Sequence, residues 1–197
     1  MPTRRDLVLQ AAMFAALPGL GYAQSRGLTP PLHPTPACAD AKETPTPAQT
    51  EGPYYSPLSP QRASLVEPGM TGTKLRLGGY VLDRACRPVP GALIDLWQAD
   101  AEGRYDNTGY RLRGHLFSDD QGRWQVETIM PAAYPGRTRH IHVKVQAPGR
   151  DILTTQLYFP DEPGNARDRL FNKALLLRVA GDEDTRIARF DFVLDMG

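Results

Sequence analysis

The stretch HIHVKVQA, residues 140–147, alternates without a break. Ile141, Val143 and Val145 fall on one parity, and His140, His142, Lys144 and Gln146 on the other. Side chains two apart on a strand share a face, whereas a helix would scatter these apolar residues around its axis. The stretch therefore reads as a strand with one apolar and one polar face. Its polar face carries two imidazoles whose Cα atoms stand about 7 Å apart, close enough for both rings to reach one ion.

The same alternation recurs on either side. LRLGGYVLD (75–83), ALIDLWQA (92–99), RWQVETI (123–129), ILTTQLYF (152–159) and RIARFDFVLD (186–195) are short runs separated by turn signals such as RACRPVPG, AEGRYDNTG, SDDQG, APGRD and PDEPGN. Short strands with a turn roughly every ten residues predict an all-β fold, an antiparallel β-sandwich with little helix. Only ARDRLFNKALLLRV (166–179) offers a turn or two of helix, and there is no internal repeat or phosphate-binding glycine loop. Taken alone, this pattern also suits a non-catalytic module: GGYVLDRACRPVPGALIDLW reads like the opening hairpin of transthyretin-like binding sandwiches.

The 197 residues carry 19 prolines, 18 glycines and a formal net charge of +1, so nothing argues for nucleic acid or an anionic membrane surface as partner. TRRDLVLQAAMFAALPGLGYAQ, near the start, has a basic pair, an apolar stretch and small residues at Gly21 and Ala23, and residues 1–23 read as a cleavable export signal. The segment Thr3-Arg4-Arg5-Asp6-Leu7-Val8 resembles twin-arginine signals, which implies export of an already folded protein, to the periplasm in a bacterium. Its apolar part is too short and interrupted to span a bilayer, so no membrane association is expected once the signal is removed. Residues 24–45 are rich in proline and read as a leader or linker, with the domain running from 46 to 197. Cys38 and Cys86 fit no zinc motif, and an oxidising destination makes them a candidate disulfide.

The His pair needs further ligands. No His-x-Asp or His-x-Glu occurs, as an iron(II) facial triad would want, and the third histidine of a zinc hydrolase would have to be His115, in RLRGHLFSDD, where no ligand-type neighbour stands. Tyrosines do lie near: Tyr134, six residues before His140, and Tyr105 in WQADAEGRYDN. Phenolate is a hard anionic donor with an ordinary pKa near 10, so it takes a strongly Lewis-acidic ion to keep it deprotonated at neutral pH. Two phenolates and two neutral imidazoles select ferric over ferrous iron.

In these residues the chain resembles the intradiol ring-cleavage dioxygenases, of the catechol 1,2-dioxygenase and protocatechuate 3,4-dioxygenase type, from about Thr46 to the C-terminus. LIDLWQADAEGRY is similar to the family segment of the first tyrosine ligand, which falls on Tyr105. TIMPAAYPGR is similar to that of the second, on Tyr134, and RTRHIHVKV carries His140 and His142. The resemblance implies one non-haem Fe(III) on these four side chains. It further implies a catalytic Arg137, three residues before the first ligand histidine, Gln156 in LTTQLYF beside it, and a proton-accepting role for Tyr134. TPAQTEGPYY is similar to a segment whose Gly52, Pro53 and Tyr54 line the substrate site.

The implied activity is opening of a catechol-type ring, with O2 as co-substrate, to a cis,cis-muconate-type diacid. Arg139 departs from the small residue or proline of many relatives, and either it or Arg62 is a candidate cation for a carboxylated ring. Trp97 and Trp124 alternate with apolar neighbours and read as core. The resemblance leaves the ring substituent open, and it allows a homo-oligomer.

Overall fold

The computed structural model describes residues 44–181 and 185–197. Among the described residues nine strands form two sheets: β1 (Lys74–Asp83), β2 (Leu93–Trp97), β3 (Arg113–Phe117), β4 (Arg123–Ile129), β5 (His140–Gln146), β6 (Leu153–Tyr158), β7 (Arg178–Gly181), β8 (Thr185–Arg189) and β9 (Phe192–Leu194). The first sheet runs β4-β1-β8-β7, with β9 continuing beside the far half of β1; the second runs β3-β2-β5-β6. The helix allowed by residues 166–179 is reduced to a single 3-10 turn at Lys173–Leu175, opened by Asn172, whose side chain accepts from Ala174 N. Among the described residues, no helix is long and apolar enough to cross a membrane.

The second sheet is antiparallel throughout. In the first, β1 pairs antiparallel with β4 but parallel with both β8 and β9. The alternating run 186–195, read as one strand, is in fact two. Phe190 N donates to Gly78 O, and the Asp191 carboxylate then accepts Tyr80 N, so a side chain replaces one rung of the ladder and the strand breaks there.

The core lies between the sheets. Ile94 and Leu96 of β2, Leu116 of β3, Ile141, Val143 and Val145 of β5 and Leu157 of β6 meet Leu75, Leu77, Val81, Val126, Ala188 and Phe192 of the other sheet, all buried. The opposite parity of the second sheet is polar and faces away from this core. Register sets it out in rows: Arg113, Trp97, His142 and Gln156 lie side by side, and next to them His115, Asp95, Lys144 and Thr154. Segment 44–62 and the loops around 100–112, 130–139 and 159–172 cover that face, which is why a polar sheet surface is so deeply buried at His140, His142 and Gln156.

One local device recurs three times. In DRACR (83–87), DAEGR (100–104) and DDQGR (119–123) the aspartate accepts the backbone N–H groups two and four residues on, all at 2.9 Å, and its second oxygen takes the arginine Nε. The fourth residue is left-handed in each, with φ of +60° at Cys86, +81° at Gly103 and +71° at Gly122. Residues 1–43, which include Cys38 of the expected disulfide, the expected export signal and most of the expected leader, lie outside the described residues.

Candidate metal centre

Each candidate ligand is positioned by local chemistry. Tyr134-Pro135-Gly136-Arg137 closes a tight turn, with Arg137 N donating to Tyr134 O at 2.9 Å and Gly136 at φ +81°. Proline followed by a glycine of positive φ is the type II pattern, and it places Tyr134 and Arg137 at adjacent corners. Tyr105 follows the second aspartate turn. A Cβ on Gly103 would stand 2.8 Å from Ala133 O and 3.4 Å from Tyr134 Cβ, so glycine there lets the Tyr105 loop lie directly against Tyr134. Asp100 O accepts Ala132 N at 2.9 Å and locks the two loops together.

His140 and His142 come from the start of β5. His140 Nδ1 lies 2.6 Å from Thr138 O, which makes it the protonated nitrogen and leaves Nε2 with its lone pair. That lone pair points at His142 Nε2, 3.1 Å away. Trp97 stacks on the His142 ring at 4.8 Å and 9°, so it belongs to this site and not to the core where its alternation put it. Trp124 does lie in the core, against Phe192. Burial, and after it the nearby Arg137, lowers the His140 pKa to about 4; burial with His140 and Arg137 drives His142 well below its usual range. Both imidazoles are therefore neutral donors at neutral pH.

The four rings close a circuit. Centroids are 5.9 Å apart for Tyr105 and Tyr134, 5.6 Å for Tyr134 and His140, 4.8 Å for His140 and His142, and 6.2 Å for His142 and Tyr105. Burial raises the pKa of both phenols above the ordinary tyrosine range. Tyr105 Oη and His142 Nδ1 are buried without a hydrogen-bond partner. A buried hydroxyl and a buried imidazole nitrogen without partners are costly in protein alone. A cation among them would take up the Nε2 lone pairs and the phenol oxygens together, so the donor set fits a hard trivalent ion. His115 does not join it. Its Nδ1 is held at 2.7 Å by Ser59 O in the neighbouring row, and among the described residues no three His, Cys, Asp or Glu side chains are grouped to hold a metal.

Around the circuit, Gly52 comes close to His142, where a Cβ would lie 3.4 Å from the imidazole Cε1. Tyr54 stacks on Tyr105 at 4.4 Å and meets Tyr134 edge-on at 6.3 Å, while Pro53 points to solvent. Arg137 donates from Nε to Asp168 at 3.0 Å and from Nη2 to Gln156 Oε1 at 2.5 Å. Gln156 Nε2 is anchored on Thr50 O at 2.9 Å. Arg139 is ion-paired with Glu162 at 2.9 Å, and Arg62 with Glu67 at 3.2 Å, so neither is an uncommitted cation for a carboxylated ring.

Four contributors escaped the sequence. Asp168 holds both Arg137 and Thr138 N (2.9 Å), the residue that orients His140. Tyr158 Oη lies between Gln49, Gln156 and Leu170 O. Tyr55, whose hydroxyl donates to Asp95 at 3.1 Å, packs on Trp97 at 4.8 Å. Arg113 binds the backbone of the Tyr54 and Tyr105 segments. No spacing signals Asp168, which stands among arginines 26 residues beyond His142, but YY at 54–55 and the strand register of Trp97 with His142 were cues to Tyr55 and Trp97.

A protein-family profile described as Dioxygenase matches residues 50–196. The dioxygenase domain of a dioxygenase–carbohydrate-binding protein fusion from the cellulolytic bacterium Streptomyces sp. SirexAA-E is 55% identical, with a TM-score of 0.76 over 78% of this chain and 100% of that one. The 3-chlorocatechol 1,2-dioxygenase of Rhodococcus opacus 1CP superposes with a TM-score of 0.70 at 27% identity, over 77% of this chain and 73% of that one. A catechol 1,2-dioxygenase of Pseudomonas sp. (strain EST1001) is 29% identical over 191 residues, 82% of this chain and 62% of its own length. The chain thus spans less than two thirds of that relative.

Proposed function

The chain belongs to the intradiol ring-cleavage dioxygenase family, and we propose that it opens a catechol-type ring between its two hydroxyl-bearing carbons, with both atoms of O2 entering a cis,cis-muconate-type diacid. In this reading one Fe(III) is held by Tyr105, Tyr134, His140 and His142. The observation that carries it is the closed circuit of two phenols and two neutral imidazoles, with Tyr105 Oη unsatisfied and the two Nε2 atoms 3.1 Å apart. Held by these four side chains, ferric iron would supply Lewis acidity toward a bound catechol.

The protein's own groups do the rest. Tyr134, half-buried and beside Arg137, is the tyrosine best placed to accept a proton from a substrate hydroxyl at its Oη, in the phenolate form that a ligand role would require. Arg137 stays charged at any working pH and offers a fixed positive charge where negative charge develops on the ring. Gln156 and Asp168 fix the plane of its guanidinium. Gly52 and Tyr54 wall the site on the side of His142 and Tyr105, where an aromatic face suits a flat ring and the ion-paired Arg139 and Arg62 favour one without an anionic substituent. An export signal at residues 1–23 would suit a site loaded before translocation, and on that expectation we propose a periplasmic location.

The test is the visible spectrum of the purified protein before and after catechol is added under air. A reddish protein whose band moves with substrate, and which then yields the ring-opened diacid, is the expected result. A protein that stays colourless when ferric iron is supplied would refute the reading and leave a non-catalytic β-sandwich.

A further inference from the structure

Arg113 opens β3 and is only 1% exposed, although it carries a full charge. Its guanidinium donates from Nη1 to Tyr54 O at 2.5 Å, and from Nε and Nη2 to Asp106 O at 3.0 and 2.6 Å. One side chain therefore ties the backbone of Tyr54 to the residue that follows Tyr105. The two tied residues are those whose rings stack at 4.4 Å and 18°. Its own backbone is held in turn, since Arg113 O accepts both Nε and Nη2 of Arg62.

Two further features single this residue out. The preceding Leu112 is buried yet left-handed, at φ +55°, a conformation strained for a residue with a side chain. Such strain persists where surrounding structure enforces it, commonly at working sites. Arg113 also sits across the ladder from Trp97, the ring that stacks on His142, so it stands in the same row of the sheet as that candidate ligand. Its hydrogen-bond acceptors are neutral carbonyls, so its charge is not spent on a carboxylate contact.

We propose that Arg113 is the positioning residue of the centre: its guanidinium clamps the Tyr54 and Tyr105 segments into one unit and lends the Tyr105 oxygen a neighbouring positive charge in its anionic, ligating form. This rests on the reading of Tyr105 as a ligand. A side chain that only filled space here would not need a planar fork spanning two carbonyls; lysine carries the charge but cannot span both.

The test uses the full chain with Arg113→Met and Arg113→Lys, reading ferric affinity by chelator competition and the position of the visible band. Loss of a supporting group around metal ligands costs about 10–100-fold in affinity, and both variants should show it. The band of Arg113→Met should also move to longer wavelength, because a phenolate without the adjacent cation gives up its electron more easily; that of Arg113→Lys should move less. Variants whose ferric affinity and band match the parent, whatever their melting temperatures, would overturn the proposal. Should Arg113→Met fail to fold, Arg113→Lys decides on the affinity alone. A parent that takes up no ferric iron would instead refute the function proposed above, and this inference with it.

Discussion

Asp168→Asn changes one atom beneath the site, and the structure sets its cost. The Asp168 carboxylate accepts Arg137 Nε at 3.0 Å and Thr138 N at 2.9 Å on one oxygen, and Leu170 N at 2.8 Å on the other. Its side chain is 1% exposed and that of its partner Arg137 15%. An amide offers one acceptor oxygen where two are used. If that oxygen keeps Arg137 and Thr138, the amide nitrogen faces Leu170 N, a donor against a donor. Leaving one buried donor unsatisfied costs about 1–3 kcal/mol, and weakening the charge-assisted bonds adds about 1 more. The expected loss is about 3 kcal/mol, the lower edge of what breaking a buried ion pair costs. At about 2–4 °C per kcal/mol for a chain of this size, Tm should fall by about 6–12 °C.

The dependence on pH checks the cause. Burial alone would raise the Asp168 pKa, but the bonds from Leu170 N, Thr138 N and Arg137 outweigh it and hold the carboxyl below the ordinary value. A depressed carboxyl contributes stability that is fully present above its unfolded pKa, about 3.9, and is lost as pH falls through the folded value. The gap between parent and variant should therefore be full from about pH 5 to 8 and narrow below about pH 4. Calorimetric melting of both proteins across that range is the assay. A variant within about 2 °C of the parent at pH 7, or a gap that persists unchanged at the acid end, would refute this account of the carboxylate.

Arg137→Lys keeps the charge but cannot donate to Asp168 and Gln156 at once; kcat on catechol should fall about tenfold or more while the ferric band survives, read by steady-state kinetics beside the spectrum. Gly103→Ala forces a side chain into a +81° φ and against Ala133 O, so iron uptake should weaken together with a Tm lower by several degrees, measured by chelator competition and melting. Cys86→Gly puts into the first aspartate turn the residue its other two copies use at that corner; melted with reductant present, it should gain about 0.5–1 kcal/mol, as the relief of left-handed strain exceeds glycine's entropic cost.

Alternation by itself determined the class of fold and which residues share a face of each strand, because a period of two leaves a side chain only two faces to choose from. HIHVKV therefore fixed which residues meet the core and which two imidazoles stand together. The turn in AEGR was equally readable, since its hydrogen bonds close within five residues. Sequence reading could not foresee that RIARFDFVLD splits and pairs parallel with β1, because that depends on Asp191 meeting Tyr80 N across 111 positions. Nor could it rank the two faces of β2. Trp97 alternates like a core residue, and only the covering segment 44–62 turns the outer face of that sheet into an interior.

The four candidate ligands were legible because each sits in its own short motif. The groups that hold them, Asp168, Arg113 and Tyr55, were not, because each acts through backbone or side chains brought near only by the packing of distant loops. Sequence fixes what a residue can donate or accept; the tertiary structure decides which partner stands within 3 Å of it.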